Sequence, residues 1–319
     1  MANGTAVGID VGGSRMAGAL VDLDRGGQVL ERRELATPSL DPDAVVGGIV
    51  SLARELAAGG VAAVGVAAAG MVDRRGVMRY APNIAWREFP LAERVRAEVG
   101  LPVRVENDAT AAAWGEFRFG AGRGVRDLLL VTVGTGIGGG IVLDGELVRG
   151  AHGFAAEVGH IVVEPDGPRC GCGNRGCWEQ VASGRTIARL GREAARERLS
   201  REMLELAGGD PERVTGEVVT QAGRAGDPVA LRILTEVGRR LGQGIAGLVN
   251  VLDPELVVVG GGAAEAGDLL LGPAREAFAE AVEGSAHRPA VPIVPAALGN
   301  DAGAVGAADL AAHLAGGGG

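Results

Sequence analysis

Two stretches of this chain follow the same plan 122 positions apart: an apolar run, a glycine turn and a returning run of small and apolar residues. In the first, Ala6 to Asp10 leads through Gly12-Gly13-Ser14 into Ala17 to Val21. In the second, Leu128 to Thr132 leads through Gly134-Thr135-Gly136 into Gly138 to Leu143. Both read as a buried strand, a turn and a second strand. Gly12 aligns with Gly134, Gly18 with Gly140 and Asp22 with Asp144, which is the mark of an internal duplication. Two homologous α/β lobes follow, each contributing one glycine hairpin to a shared cleft. A length of 319 residues suits two domains.

The intervening segments have the alternation such lobes need. Asp41-Pro42 predicts a capped helix with Val45, Ile49, Leu52 and Leu56 on one face. Val61 to Ala69 predicts a strand, Gly70 to Gly76 a loop or hairpin, Ala81-Pro82-Asn83 an irregular turn and Pro90 to Val99 a helix. Pro102 to Glu106 reads as a strand that stops at Asn107-Asp108, where a helix through Phe119 begins. Ser183 to Val251 is mostly helical, broken at Gly208-Gly209-Asp210-Pro211 and at Gly226-Asp227-Pro228. Glu255 to Val259 reads as a buried strand ending in Gly260-Gly261-Gly262, with a helix near Asp268, a last strand at Val291 to Pro295 and a terminal helix opened by Asn300-Asp301. The glycine tail, Gly316 to Gly319, is expected to be disordered.

All three cysteines lie in Cys170-Gly-Cys172-Gly-Asn-Arg-Gly-Cys177, with His160 ten positions upstream of the first. Four soft or borderline ligands are the number that tetrahedral zinc takes in a closed site. An odd cysteine number suits a disulfide framework poorly, and three inert buried cysteines would not be expected to gather between glycines that permit tight turns. The reading is a Cys3His zinc site of His160, Cys170, Cys172 and Cys177. With no ligand position left open for water, the metal is expected to be structural, holding a loop that carries Glu157 at one end and Glu179 at the other.

A net charge of −9 argues against a sequence-independent nucleic-acid surface and against an anionic-membrane binder, since both require a cationic field. The apolar run around Val61 to Val72 is too short to span a bilayer, no charged leader is visible, and a cytoplasmic protein is expected. All 31 basic residues are arginine. Without lysine there is neither a P-loop of the GxxxxGK[ST] type nor Schiff-base chemistry.

Asp10-Val-Gly12-Gly13-Ser14 and Thr132-Val-Gly134-Thr135-Gly136 both place backbone N–H groups and a hydroxyl where no side chain obstructs a phosphate. Either alone reads as an ordinary glycine hairpin. Duplicated, and joined by Gly260-Gly261-Gly262 after a strand, they suggest a nucleotide with its phosphates between two lobes, and Asp10 as the holder of Mg²⁺ directly or through water. Asn107-Asp108 admits two readings, a helix cap or a general base that takes the proton of an attacking hydroxyl. Glu157 and Glu179 are ordinary exposed glutamates unless the metal loop holds them, in which case their carboxylates suit paired sugar hydroxyls.

Asp10-Val-Gly-Gly-Ser14, Glu106-Asn-Asp-Ala109, Thr132-Val-Gly-Thr-Gly136, Glu157-Val-Gly-His160 and the cysteine segment through Trp178-Glu179 together resemble the ROK family of sugar kinases and repressors. The resemblance covers essentially the whole chain, and Ala81-Pro-Asn-Ile-Ala-Trp86 is similar to its glucokinase branch. It implies the actin-like, RNase H-like ATPase duplication. A small α/β domain is expected over 1–108, completed by 301–319, and a large one over 109–300 with the zinc loop and a helical insert. It further implies Asp108 as the base, with Asn83, Asn107, Glu157, His160 and Glu179 around the sugar, His160 serving both metal and sugar. Ser14 stands where many relatives have threonine, which keeps the hydroxyl.

The implied activity is transfer of the γ-phosphoryl of ATP, with Mg²⁺, to the 6-hydroxyl of glucose by a homo-oligomer, dimer or tetramer. N-acetylmannosamine, fructose or allose as acceptor, polyphosphate as donor, and a non-catalytic sugar-sensing regulator are the alternatives. The repressors of the family carry a helix-turn-helix before the first glycine hairpin; only a short stretch precedes that hairpin here, so no DNA-binding role is expected.

Overall fold

The computed structural model describes residues 4–315, so the glycine tail lies outside the described residues. The first glycine hairpin pairs β1 (Thr5–Val11) with β2 (Arg15–Asp22) antiparallel from Thr5 opposite Asp22 to Val11 opposite Met16. A third strand, β3 (Gln28–Ala36), continues the meander antiparallel to β2. It had no apolar signature to announce it: as an outer strand it carries Glu31-Arg32-Arg33-Glu34, charges that discourage edge-to-edge association. Asp41 caps α1 (Pro42–Leu56), its carboxylate accepting from the N–H groups of Asp43 and Ala44, with Pro42 in the first turn. β4 (Val64–Ala68) then pairs parallel with β1, every residue of it buried.

The expected loop or hairpin after Gly70 is a hairpin. β5 (Met71–Val72), β6 (Met78–Tyr80) and β7 (Arg87–Phe89) make a small antiparallel sheet. α2 (Leu91–Val99) ends on Gly100, whose φ of 68° gives the left-handed stop that glycine adopts without strain. β8 (Val103–Asn107) joins β4 in parallel and runs directly into α3 (Asp108–Phe119). The first five-stranded sheet has the order β3-β2-β1-β4-β8.

The second glycine hairpin is β9 (Leu128–Val133) and β10 (Ile137–Leu143), followed by β11 (Glu146–Leu147). Helices follow: α4 (Glu179–Ala182), α5 (Gly184–Arg196), α6 (Arg201–Leu206), α7 (Gly216–Arg224) and the long α8 (Pro228–Leu252). After β12 (Leu256–Gly260) come α9 (Asp268–Ala281), β13 (Ile293–Pro295) and α10 (Ala302–Ala315). The second sheet has the order β11-β10-β9-β12-β13, the first sheet's order repeated strand for strand. The duplication read from three aligned residue pairs is therefore a duplication of topology.

The chain divides into two compact units, one of 1–130, 140–156 and 296–319, the other of 131–139 and 157–295. This differs from the expected boundary at Asp108 by placing α3 and the segment 140–156 with the first unit. The reason is packing through small residues: a Cβ on Gly306 of α10 would stand 1.8 Å from the Ala111 carbonyl oxygen of α3, so the two helices touch backbone to backbone. α10 lies as closely on the first sheet, where a Cβ on Gly8 would come within 1.8 Å of the Ala304 carbonyl oxygen and one on Gly65 within 1.9 Å of that of Ala307. Inside the second unit, Gly242 of α8 meets the Ala274 carbonyl of α9 in the same way, at 2.0 Å. Among the described residues no helix is long and apolar enough to cross a membrane.

Candidate active site

In the first unit the hairpin turn is closed by the Gly12 N–H donating to the Arg15 carbonyl at 2.9 Å, and Thr37 holds it from outside, its hydroxyl donating to the Gly12 carbonyl at 2.8 Å. Asn83 packs directly on this turn; a Cβ on Gly13 would sit 2.7 Å from the Asn83 Cβ. Asp10 is the last residue but one of β1, with its carboxylate against Gly303 in the first turn of α10. Burial, then the charge of Asp108, push the Asp10 carboxyl up to about 7, against a smaller opposing pull from Arg15. The two carboxylates are thus electrostatic neighbours.

Asn107 and Asp108 differ in what their side chains bond. Asn107 is the cap of α3: its Oδ1 accepts from the Thr110 N–H at 3.0 Å, and its Nδ2 donates to the Gly70 carbonyl at 3.1 Å. Asp108 is the first residue of the helix, and its Oδ1 accepts the adjacent Ala109 N–H, at 2.9 Å. Burial raises the Asp108 carboxyl above the usual carboxylate range, while its backbone and Asn107 hydrogen bonds pull the other way. A carboxyl not needed for capping, and held toward neutral titration, is suited to taking a proton.

In the second unit the Gly134-Thr135-Gly136 turn is closed by the Gly134 N–H donating to the Gly136 carbonyl at 3.0 Å. The Gly134 carbonyl in turn accepts the Gly184 N–H, at 2.8 Å, at the start of α5, where Ser183 is the N-cap. Gly261, at φ 84°, presses on the end of β9, where a Cβ would come within 2.6 Å of the Val133 carbonyl oxygen. The two glycine turns and the N-terminus of α5 therefore gather at one place, a set of backbone N–H groups and a helix dipole of the kind that receives phosphates.

The metal loop belongs to the same unit. His160 Nδ1 and the sulfurs of Cys170, Cys172 and Cys177 all lie within 4.8 Å of one another. Cys170 Sγ stands 3.6 Å from His160 Nδ1, and Cys172 Sγ 3.6 Å from Cys177 Sγ. Zinc–sulfur bonds of about 2.3 Å in a tetrahedron put sulfurs about 3.7 Å apart, so the four atoms fit a zinc ion. Sequence reasoning did not identify how the loop is fastened. Trp178 is buried against α8, its Nε1 donating to the Arg240 carbonyl at 3.0 Å, and a Cβ on Gly244 would stand 2.1 Å from its ring. A tryptophan directly after the last cysteine was the available signal.

Glu157 and His160 flank a single 3-10 turn, Val158–His160, with Glu157 Oε2 at 3.9 Å from His160 Nε2. A histidine that faces the metal through Nδ1 keeps its proton on Nε2 and presents it to Glu157 or to a ligand hydroxyl. Glu179 opens α4; its Oε1 lies 3.0 Å from Cys170 Sγ and accepts from Gln180 Nε2 at 3.1 Å. Its Oε2 reaches the second glycine turn, where a Cβ on Gly136 would come within 2.4 Å of it. The metal loop and the phosphate turn are thereby one construction.

Residues 6–313 match the model of the ROK family. The chain belongs to the ROK family. It is 45% identical over 312 residues to a glucokinase of Streptomyces coelicolor, covering 97% of this chain and 98% of that protein. It is 38% identical to a glucokinase of Thermotoga maritima, with 98% of each covered. Among solved structures, a ROK family glucokinase from Streptomyces griseus, in complex with glucose and AMPPNP, superposes with a TM-score of 0.88 at 44% identity over 96% of this chain and 99% of that one. The two sheets of one strand order are the actin-like duplication of the ROK kinases.

Proposed function

We propose that this ROK protein transfers the γ-phosphoryl group of ATP to the 6-hydroxyl of glucose, giving glucose 6-phosphate and ADP. The observation that carries this reading is that Asn107 caps α3 and leaves Asp108 a half-buried carboxyl whose pKa is raised and whose charge acts on Asp10. The chain's similarity to glucokinases over nearly their whole length, one of them with glucose and a nucleotide analogue bound, supports the substrates.

In this mechanism Asp108 accepts the proton of the sugar O6 as that oxygen bonds to the γ-phosphorus; the bond from that phosphorus to the β–γ bridging oxygen breaks and ADP departs. Asn83, Asn107, Glu157, His160 and Glu179 hold the sugar hydroxyls, the carboxylates accepting and His160 donating through Nε2. Gly13, Ser14, Thr135, Gly136 and Gly260 to Gly262 would face the nucleotide, in turns that the Gly12 and Gly134 N–H groups hold closed. Mg²⁺, held at Asp10, would neutralise phosphate charge that a lysine handles elsewhere. His160, Cys170, Cys172 and Cys177 would hold a zinc ion as a closed four-ligand set, which would brace the loop without entering the phosphoryl transfer. Zinc thiolates are at home in the reducing cytoplasm, and we assign the chain to a cytoplasmic homo-oligomer.

A coupled assay tests the reading directly, with ATP and polyphosphate offered against glucose, N-acetylmannosamine, fructose and allose. The expected result is the highest kcat/KM for glucose with ATP. Turnover on none of the hexoses would point to a sensor, and a clear preference for another sugar would replace glucose.

A further inference from the structure

Within the first unit lies a cavity of about 270 Å³ with no part in the site described above. Its wall carries five arginines, Arg74, Arg75, Arg96, Arg104 and Arg149, against two carboxylates, Asp73 and Glu106. Such an excess of three positive charges is notable in a chain of net charge −9. The arginines come from separate elements: the β5–β6 turn, α2, β8 and the segment after β11. Gly153, at φ 97°, lets that last segment lie directly on the chain at Val72 to Arg74, where a Cβ would meet the Val72 carbonyl oxygen at 2.6 Å.

The two carboxylates are already engaged. Glu106, 5% exposed, accepts on one oxygen from Arg149 Nε at 2.6 Å and from Arg104 Nη2 at 3.4 Å, a buried carboxylate between two half-buried arginines that leaves one positive charge uncompensated. Burial, then the charge of Arg149, push Arg104 below the usual guanidinium range. Asp73 accepts from Arg79 at 2.7 Å and from the Val77 and Arg75 N–H groups, both at 2.9 Å. Arg74 and Arg96 have only carbonyl partners among the described residues: Arg74 Nε donates to Gly150 O at 3.0 Å and Arg96 Nη2 to Val103 O at 3.2 Å. A guanidinium has five N–H donors, so most of the donors lining the cavity are uncommitted.

We propose that this arginine-lined cavity is a binding site for a phosphate group, either inorganic phosphate or the phosphate of a small phosphorylated sugar. A phosphate dianion balances the charge excess better than a single carboxylate, and its oxygens match the forked geometry of guanidinium donors. The size of the cavity limits the ligand to a small molecule. The inference stands apart from the assignment of Asp108.

Calorimetric titration at low ionic strength tests it, using inorganic phosphate and glucose 6-phosphate as separate ligands and a saturating non-hydrolysable ATP analogue to occupy the nucleotide site. The informative variant is Arg74→Gln together with Arg96→Gln, which removes two charges without stranding a carboxylate. The parent should bind at least one ligand, and the double variant should lose about tenfold or more in affinity, with partial recovery in Arg74→Lys with Arg96→Lys. Unchanged circular dichroism and Tm certify the fold of each variant. Equal affinity for both ligands assigns recognition to the phosphate group alone, and preference for the sugar phosphate assigns the larger ligand. Binding of neither ligand by the parent, or parental affinity in the double glutamine variant, would overturn the proposal.

Discussion

Each half of the duplication ends its sheet and then opens a helix near an Asn-Asp pair, Asn107-Asp108 before and within α3 and Asn300-Asp301 just before α10. The surroundings differ. β8 runs without a break into α3, so Asn107 caps the helix and Asp108 stands half-buried in its first turn, its charge acting on Asp10. Between β13 and α10 the chain passes through a loop and a 3-10 turn, Gly299–Asp301, and Asp301 pairs instead with Arg32 of the edge strand β3. The same dipeptide is therefore a candidate catalytic element in one copy and a partly exposed ion pair in the other.

The sharpest way to break this contrast is Asp108→Asn. Because Asn107 does the capping, Tm and zinc content should hold while kcat falls by about 10²–10⁴-fold, the range for a positioned general base. Near-parental turnover would remove Asp108 from the mechanism.

A second large effect concerns the metal loop, which has no counterpart in the first half. Cys172→Ala should cost the protein its stoichiometric zinc and weaken sugar binding far more than nucleotide binding, because Glu179, lying 3.0 Å from Cys170 Sγ, loses its anchor. Metal analysis with two titrations reads this out; full zinc content or equal weakening would sink the scaffold role.

Next comes the pairing of Asp10 with Asp108. A carboxyl raised from 3.8 to about 7 in the folded chain opposes folding when ionised, so its penalty is absent below 3.8 and grows as pH rises to about 7. Asp10→Asn, measured without Mg²⁺, should therefore raise stability at pH 8 by at most ~4 kcal/mol, and progressively less toward pH 4. A Tm difference that does not change with pH would deny the coupling.

The duplicated glycines offer a smaller test. A Cβ on Gly18 would meet the flexible end of Leu56 at 2.8 Å, whereas one on Gly140 would meet the Ala113 Cβ at 2.3 Å and the Ala109 carbonyl at 2.9 Å. Gly140→Ala should cost about 1–3 kcal/mol and Gly18→Ala less than about 1, by denaturant midpoint. Least affected of all should be Asp301→Asn, which breaks an exposed pair with Arg32 worth about 0–1 kcal/mol and leaves kcat unchanged.

Residues close together in sequence were enough to indicate the duplication, the strands of both glycine hairpins and the Cys3His cluster. Their signals are local: apolar runs broken by glycine set strand and turn, and three thiols within eight residues leave few alternatives to a shared metal. β3 escaped because an edge strand rich in charge has no alternating pattern to read. The sequence also left Asn107-Asp108 undecided between cap and base, since both residue types cap helices well. Only the tertiary structure identifies Asn107 as the cap, because that rests on which oxygen reaches the Thr110 N–H. The contact of Glu179 with Gly136, the packing of α3 on α10 and the gathering of five arginines around one cavity belong to the same class. Each joins residues far apart in the chain, whose proximity comes from the packing of whole elements and leaves no trace in any single stretch of sequence.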